Sequence, residues 1–125
     1  ELNPALASLI ASKHPDVEVI TGDASHLPQL LAERGIDRVD VVISGLPFAS
    51  FPDPLQQAIM GAVHAAVGAD GVFTTFAYSM AARTPNARRF RRMLEQGFEE
   101  VVLSRTVLAN LPPAFIYYAR RSRRS

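Results

Sequence analysis

The sequence predicts an α/β fold with a mostly parallel sheet, helices on both faces and an antiparallel last strand. Short apolar runs typical of buried strands alternate with segments in which apolar residues recur every three or four positions, as in amphipathic helices. This alternation favours parallel strands joined by crossover helices. The link between the last two strands is too short for a crossover helix, so these strands should be antiparallel.

The elements follow each other without an internal repeat. Asn3 and Thr84 each precede a proline, the pattern of a helix cap followed by proline at the first helical position. Helices are expected at 4–14, 27–35, 54–67 and 84–97, and strands at 17–20, 39–44, 72–77, 98–107 and 114–119. A turn is expected at Asp70-Gly71. The domain should span 1–119, and 120–125 should be a disordered basic tail.

Two of these segments carry an expectation about burial. Residues 39–44 form a near-continuous apolar run, which is expected of a strand buried on both faces. The third helix should bury one stripe, made of Leu55, Ala58, Ile59, Ala62, Val63, Ala66 and Val67.

Composition fits one folded domain, and charge is divided unevenly along it. The 125 residues are 48% hydrophobic and 20% charged, and no cysteine is present to form a disulfide or a thiolate metal site. Residues 1–82 hold three basic and nine acidic side chains, whereas residues 83–125 hold ten and three. This basic third points to an anionic partner, either nucleic acid or a membrane surface. On the fourth helix Phe90 and Leu94 should face the core, and Arg88, Arg89 and Arg92 should face outward.

Unusual residues stand where each predicted strand ends or where the chain begins. If the strands are parallel, these residues line one edge of the sheet, where ligands bind in open α/β folds. The candidates are Glu1, then Asp23 and Ala24, then Ser44, Gly45, Leu46, Pro47 and Phe48, and finally Tyr78.

The order and spacing of these residues resemble the latter part of a class I S-adenosylmethionine-dependent methyltransferase, which has a Rossmann-like fold. The resemblance implies that Glu1 in "ELNP" binds the cofactor's ribose hydroxyls and that Asp23 in "GDA", with Ala24 beside it, recognises the adenine amino group. It also implies that "GLPF", Gly45 to Phe48, lines the methyl-transfer site next to the cofactor-binding Ser44. Other interpretations stay open: Glu1 as a solvated terminal residue, Asp23 as a cap and "GLPF" as a rigid loop.

The family's glycine-rich cofactor loop is not found in this sequence. Nothing before Glu1 supplies it, and Gly22 and Gly45 do not form a G-x-G-x-G pattern. The first two strands of the complete fold should therefore be lacking. We expect the chain to be a fragment that binds the cofactor weakly by itself.

Three segments indicate the acceptor. Nucleobase amino-methyltransferases of this fold usually carry Asn or Asp where Gly45 stands, and glycine cannot hold a planar base amine.

"SGLPF…FP", "FTTFAYS" and "LANLPPAFIYYARR" resemble the bacterial phospholipid N-methyltransferases, which convert phosphatidylethanolamine stepwise to phosphatidylcholine. The resemblance implies a cytoplasmic enzyme, peripheral on the inner face of the membrane, that needs no metal. Tyr78 would orient the amine or relay its proton, with Phe51 and Tyr117 as further aromatic neighbours. The alternatives are a ribosomal RNA adenine dimethyltransferase-like enzyme and a non-catalytic fragment.

Overall fold

The computed structural model describes residues 1–124. Its helices are α1 (Pro4–Lys13), α2 (Leu27–Ala32), α3 (Asp53–Ala66) and α4 (Pro85–Gly97). Its strands are β1 (Val39–Ser44), β2 (Val67–Tyr78), β3 (Phe98–Leu103) and β4 (Ala114–Ser122). Short 3-10 turns occupy Ala24–His26, Phe48–Ser50 and Ser79–Ala81.

The four strands form one sheet in the order β1-β2-β4-β3. β1 is parallel to β2, and β4 is antiparallel to both β2 and β3. Three strands therefore share one direction, and the last strand of the chain runs against them. The expected α/β class and its antiparallel last strand are confirmed, in a mixed sheet whose one parallel pair is β1 with β2.

The predicted helix caps are present. The Asn3 side chain accepts hydrogen bonds from the backbone N–H groups of Ala5 and Leu6, and the Thr84 hydroxyl accepts one from Ala87. These bonds satisfy N–H groups that the first turn of a helix otherwise leaves without partners.

The core lies on one face of the sheet. Side chains of α3 (Ile59, Val63) and of α4 (Phe90, Leu94) form a single buried cluster with Phe73 and other sheet residues. The residues that alternate with this inward set are more open. On β1, Val41 is 51% exposed and Ile43 is 82% exposed. The expectation that residues 39–44 are buried on both faces is therefore wrong, because α3 and α4 both cover the same face.

The predicted strand at 17–20 is not formed within the described residues. Glu1 N–H donates to the Ile20 carbonyl at 3.1 Å, and Gly22 N–H donates to the Glu1 carbonyl at 3.0 Å. This is the bonding pattern of one parallel pair, Glu1 beside Thr21. A strand requires successive pairs, and the described residues provide one.

Two other strand boundaries differ from the expectation. β3 ends at Leu103 rather than at 107, and β4 continues to Ser122. Arg120 pairs with Val72 and Glu100, and Ser122 pairs with Phe98. The predicted disordered tail is therefore part of the sheet as far as Ser122, while Ser125 lies outside the described residues.

β2 begins five residues earlier than expected, and the predicted turn at Asp70-Gly71 becomes an irregularity within it. Val39 pairs with Val67, but Val41 pairs with Val72, so extra residues of β2 bulge out between these pairs. A Cβ at Gly71 would lie 2.9 Å from the Val67 Cβ, which is why the chain can fold back tightly only with glycine there.

Candidate functional site

Two cavities lie where β1 and β2 end. The β1 cavity, about 220 Å³, is lined by core residues and by Ala24, Ser44, Gly45, Leu46 and Phe48. The β2 cavity, about 250 Å³, is lined mainly by apolar groups that include Pro47, Phe48, Phe76, Tyr78, Phe90 and Tyr117. Phe48 lines both. The structure thus gathers Ala24 with Ser44 to Leu46, and Pro47 with Tyr78, in two neighbouring spaces.

The "GLPF" loop is fixed by its own hydrogen bonds. The Ser44 hydroxyl accepts from Leu46 N–H at 3.1 Å, and the Leu46 carbonyl accepts from Phe48 N–H at 3.0 Å. Phe48 is 3% exposed, and its ring stacks on Phe90 with centroids 4.2 Å apart. The loop is therefore rigid, as one interpretation of the sequence holds, and it also forms a wall of each cavity.

Gln56 is a residue that the sequence interpretation missed. Its side chain is fully buried, and its amide nitrogen donates to the carbonyls of Phe48 at 2.8 Å and Asn86 at 2.9 Å. It ties the loop to α3 and α4. Ala58, which was expected in the buried stripe, is exposed instead. The spacing of Gln56 from the buried Ile59 was an available signal, because residues three apart share a helix face.

Arg89 does not face outward as expected. Its Nε donates to Gln56 Oε1 at 3.1 Å and lies 3.3 Å from Asp53 Oδ1, and Nη2 donates to Asn86 Oδ1 at 2.6 Å. Arg88 and Arg92 are exposed, as expected. The free cationic surface of α4 is therefore smaller than the sequence suggests.

Asp23 serves as a cap and still has a free oxygen. Ser25 donates to Asp23 Oδ1 through its backbone N–H at 2.8 Å and through its hydroxyl at 2.7 Å. These bonds to Ser25 hold the pKa of the Asp23 carboxyl below its usual range. Within residues 1–124, Oδ2 receives no hydrogen bond that meets normal geometry. An ionised oxygen is therefore available beside Ala24, at the rim of the β1 cavity.

Glu1 lines neither cavity, but its backbone is bonded to the residue before Asp23. Its carbonyl accepts a hydrogen bond from Gly22 N–H at 3.0 Å. Its side chain is exposed and accepts from Asn3 N–H at 2.9 Å.

Tyr78 ends β2 and lines the β2 cavity with its side chain 37% exposed. Its ring meets Phe76 edge-on at 5.1 Å. The neighbouring Ser79 hydroxyl is buried and has no hydrogen-bond partner among the described residues. Tyr117 closes the cavity from β4, and burial raises the pKa of its phenol. The space is thus mostly apolar, and five of its twelve lining residues are aromatic.

The part of the chain that the structure describes contains neither a metal-ligand cluster nor a membrane-spanning helix. Among residues 1–124, no three His, Cys, Asp or Glu side chains lie close enough to hold a metal ion together. No helix in this part of the chain combines the length and apolarity needed to cross a bilayer.

No protein-family model matches the chain. An ornithine lipid N-methyltransferase from Singulisphaera acidiphila is 32% identical over 123 residues, which are 96% of this chain and 60% of the relative. The chain therefore spans about three fifths of that protein's length.

Solved structures resemble the fold at low sequence identity. An rRNA methylase from Streptococcus thermophilus matches with a TM-score of 0.65 and 12% identity over 96% of this chain and 70% of its own. A Streptococcus mutans protein in complex with SAH, proposed to be a methyltransferase, matches with a TM-score of 0.61 and 15% identity over 96% and 73%. The fibrillarin pre-rRNA processing protein of Methanococcus jannaschii matches with a TM-score of 0.68 and 12% identity, over 98% of this chain and 55% of its own. The predicted resemblance of this chain to the class I S-adenosylmethionine-dependent methyltransferases is confirmed, in sequence by the lipid enzyme and in fold by these structures.

Proposed function

We propose that this chain is part of an S-adenosylmethionine-dependent enzyme that methylates the headgroup amine of a membrane lipid. The observation that carries the proposal is the pair of cavities that share Phe48, in a chain 32% identical to a lipid N-methyltransferase. One cavity is suited to the methyl donor and the other to the acceptor.

The β1 cavity and its rim fit the donor. The free oxygen of Asp23 can accept a hydrogen bond from the adenine amino group, and Glu1, on the adjoining segment, can accept from the ribose hydroxyls. Ser44, Gly45 and Leu46 line the cavity together with Ala24, the residue that follows Asp23. When bound, the cofactor supplies an electrophilic methyl group on a positively charged sulfur. A relative of the same fold holds SAH, which supports this cofactor.

The β2 cavity fits an alkyl amine. Five of its twelve lining residues are aromatic, and aromatic faces attract ammonium groups by about 0.5–2 kcal/mol. The amine must lose a proton before it can act as a nucleophile, because an alkyl amine has a pKa of about 10. The Tyr78 hydroxyl is the proposed group that orients the nitrogen and relays this proton. Carbonyls of the Gly45 to Phe48 loop would accept the remaining N–H groups.

The proposed acceptor is phosphatidylethanolamine, methylated toward phosphatidylcholine. The relative acts on ornithine lipid, and ethanolamine and ornithine headgroups both present an alkyl amine. Gly45 also favours an alkyl amine. A Cβ at this position would meet nothing within 4 Å, so space is available for an Asn or Asp that would hold a planar base, and the chain has neither there.

RNA is the second candidate because the rRNA methylase and the fibrillarin share the fold. The basic third of the chain would contact phosphates in that case. Because those likenesses are at 12% identity, they support the fold rather than the substrate.

The test is a direct comparison of acceptors. The complete gene product would be incubated with S-adenosylmethionine labelled in its methyl group and with vesicles of phosphatidylethanolamine, vesicles of ornithine lipid, or ribosomal RNA. Mass spectrometry would then locate the label. We expect one to three labelled methyl groups on the phosphatidylethanolamine nitrogen. Label on ornithine lipid alone would keep lipid methylation and change the headgroup, whereas label on RNA alone would overturn the proposal.

A further inference from the structure

We propose that two loops at the carboxyl edge of the sheet form a surface that docks on an anionic lipid bilayer. The docking loops are residues 79–83, after β2, and residues 104–113, between β3 and β4. They are distinct from the exposed arginines of α4, which belong to the basic third that predicts an anionic partner. The inference rests on the proposed lipid substrate, and it adds where the protein meets the lipid.

The tips of the docking loops are unusually apolar and open. Met80 is 75% exposed, Leu108 is 79% and Leu111 is 95%, and Val107 is 52% exposed beside them. Single exposed apolar side chains are ordinary on a protein surface, but a group of them on neighbouring loops marks an interaction site.

The loops are joined and ordered. Ser79 N–H donates to the Pro113 carbonyl at 3.0 Å, which holds one loop against the other. Within the longer loop, Val107 N–H donates to the Ala114 carbonyl at 2.7 Å, and the Asn110 side chain donates to the Pro112 carbonyl at 2.6 Å. The apolar tips are therefore presented by a fixed backbone, and little conformational entropy is lost when they meet a partner.

Charge identifies the partner as an anionic surface. Arg83 and Arg105 are exposed within the docking loops. The sequence has no acidic residue between Asp70 and Glu95 and none after Glu100, so nothing in either loop opposes these cations. Exposed apolar tips beside arginines suit a bilayer interface, where acyl chains lie under anionic headgroups. An RNA backbone would pair with the arginines but would leave Leu108 and Leu111 without a partner.

A third cavity is lined by residues of the docking loops and by residues of the candidate acceptor site. This cavity, about 280 Å³, is lined by Phe76, Tyr78, Val107, Asn110, Ala114 and Ile116. Phe76 and Tyr78 also line the β2 cavity. A headgroup taken from a docked bilayer would thus meet Tyr78 first, without the lipid leaving the membrane surface.

The first experiment measures vesicle binding of the complete gene product with Met80, Leu108 and Leu111 replaced together (Met80→Ser, Leu108→Ser, Leu111→Ser). Vesicles of phosphatidylethanolamine and phosphatidylglycerol would be used, and melting temperatures would confirm folding. We expect at least a tenfold weaker affinity. The pair Arg83→Gln and Arg105→Gln should weaken binding less and reduce its dependence on salt. RNA binding of the same variants would be measured in parallel. The inference would be overturned if the triple variant bound vesicles as the wild-type protein does, or if its substitutions weakened only RNA binding.

A second measurement does not depend on the stability of the triple variant. Leu111→Trp should shift its fluorescence to shorter wavelength when vesicles are added, and lipids brominated in the acyl chain should quench it. Ala65→Trp is the matched control, because Ala65 is exposed at the opposite edge of the sheet, near the start of β2. A Trp at 111 that stays in water, or one that behaves like Trp at 65, would contradict docking.

Methylation of a short-chain phosphatidylethanolamine below its micelle concentration separates this inference from the proposed function. The triple variant should methylate this dissolved lipid at the wild-type rate and vesicle lipid at least tenfold more slowly. If the wild-type protein methylates no lipid yet binds vesicles through these loops, the proposed function fails and the docking surface stands. Equal rates on vesicles for both proteins would overturn the docking surface alone.

Discussion

At the scale of a single residue, the two carboxylate oxygens of Asp23 differ in their hydrogen bonding. Oδ1 caps the 3-10 turn through Ser25, whereas Oδ2 is free for a ligand. A substitution by asparagine would preserve the cap, because asparagine is as good an N-cap as aspartate, but would remove the charge. A substitution by alanine would remove both.

Asp23→Asn should therefore raise the KM for S-adenosylmethionine at least tenfold and leave kcat and the melting temperature nearly unchanged. A contact far from the reacting methyl contributes equally to ground-state and transition-state binding, so its loss acts on KM. Asp23→Ala should show the same KM and in addition about 1 kcal/mol lower stability. Steady-state kinetics and thermal melts of the complete protein would test both.

Tyr78→Phe supplies the comparison for these kinetics. It removes the hydroxyl of a residue that lines the β2 cavity, and it should lower kcat with little effect on the cofactor KM. If Asp23→Asn has the wild-type KM for the cofactor, Asp23 is not part of the cofactor site. If Tyr78→Phe raises the cofactor KM as Asp23→Asn is expected to do, the two cavities do not bind donor and acceptor separately.

At the scale of the elements, a polar cluster connects the "GLPF" loop to α3 and α4. Gln56 of α3 holds the Phe48 carbonyl, and Arg89 of α4 holds Gln56 and Asp53. Because the Gln56 side chain is fully buried, the loss of one partner leaves a polar atom without compensation. The cluster couples the position of the "GLPF" loop to the packing of α3 on α4.

Arg89→Ala should consequently lower the free energy of unfolding by about 1–3 kcal/mol, the usual cost of an unsatisfied buried partner. Arg88→Ala is the matched control: the same residue type, one position away, exposed, and expected to change stability by less than about 0.5 kcal/mol. Urea denaturation of the two variants would measure the difference. Equal stabilities would show that the cluster does not support the loop.

The sequence was informative about features that a few neighbouring residues determine. The caps at Asn3 and Thr84 were predicted because a cap depends on a side chain and the N–H groups two or three residues later. The antiparallel last strand was predicted because the length of the link excludes a crossover helix. The edge of the sheet that gathers Ser44, Gly45 and Tyr78 followed from the direction of the strands.

Features that depend on distant partners were not predictable in the same way. Residues 17–20 have the apolar, β-branched composition of a strand. A strand also needs a neighbouring strand to pair with, and the sequence of one segment does not show whether that neighbour exists. Arg89 has the helical position of a surface residue, and its inward contacts depend on Gln56 and Asp53 of another helix. Ile43 has the sequence of a buried strand residue, yet its exposure depends on what covers the sheet.

At the scale of the whole molecule, His64 connects the end of α3 to β3 and β4. It is 5% exposed, its Nδ1 lies 2.6 Å from the Ser122 hydroxyl of β4, and its ring stacks on Phe98 of β3 with centroids 4.5 Å apart. The preceding Gly97 leaves room for the ring, since a Cβ there would lie 2.5 Å from Nε2. This packing helps to hold the end of the last strand between β2 and β3.

The environment of His64 makes the stability of the domain depend on pH. Burial, with a smaller contribution from Arg124, lowers the pKa of its imidazole from 6.5 to about 4. The folded protein therefore keeps the ring neutral where the unfolded chain already takes up a proton. The contribution of His64 to stability is complete above pH 6.5 and is lost as pH falls toward the folded pKa, at up to about 1.4 kcal/mol per pH unit.

His64→Gln should remove this part of the pH dependence. Chemical denaturation at pH 7.5, 6 and 5 should show the wild-type protein losing stability faster than His64→Gln on acidification, even if the variant is less stable at pH 7.5. Carboxylates also titrate toward pH 5, and comparison between the two proteins cancels their contribution. His14→Gln is the control, because it removes an exposed histidine and leaves His64 in place. Parallel slopes for the wild-type protein and His64→Gln would show that the imidazole is already free to take up a proton in the folded state.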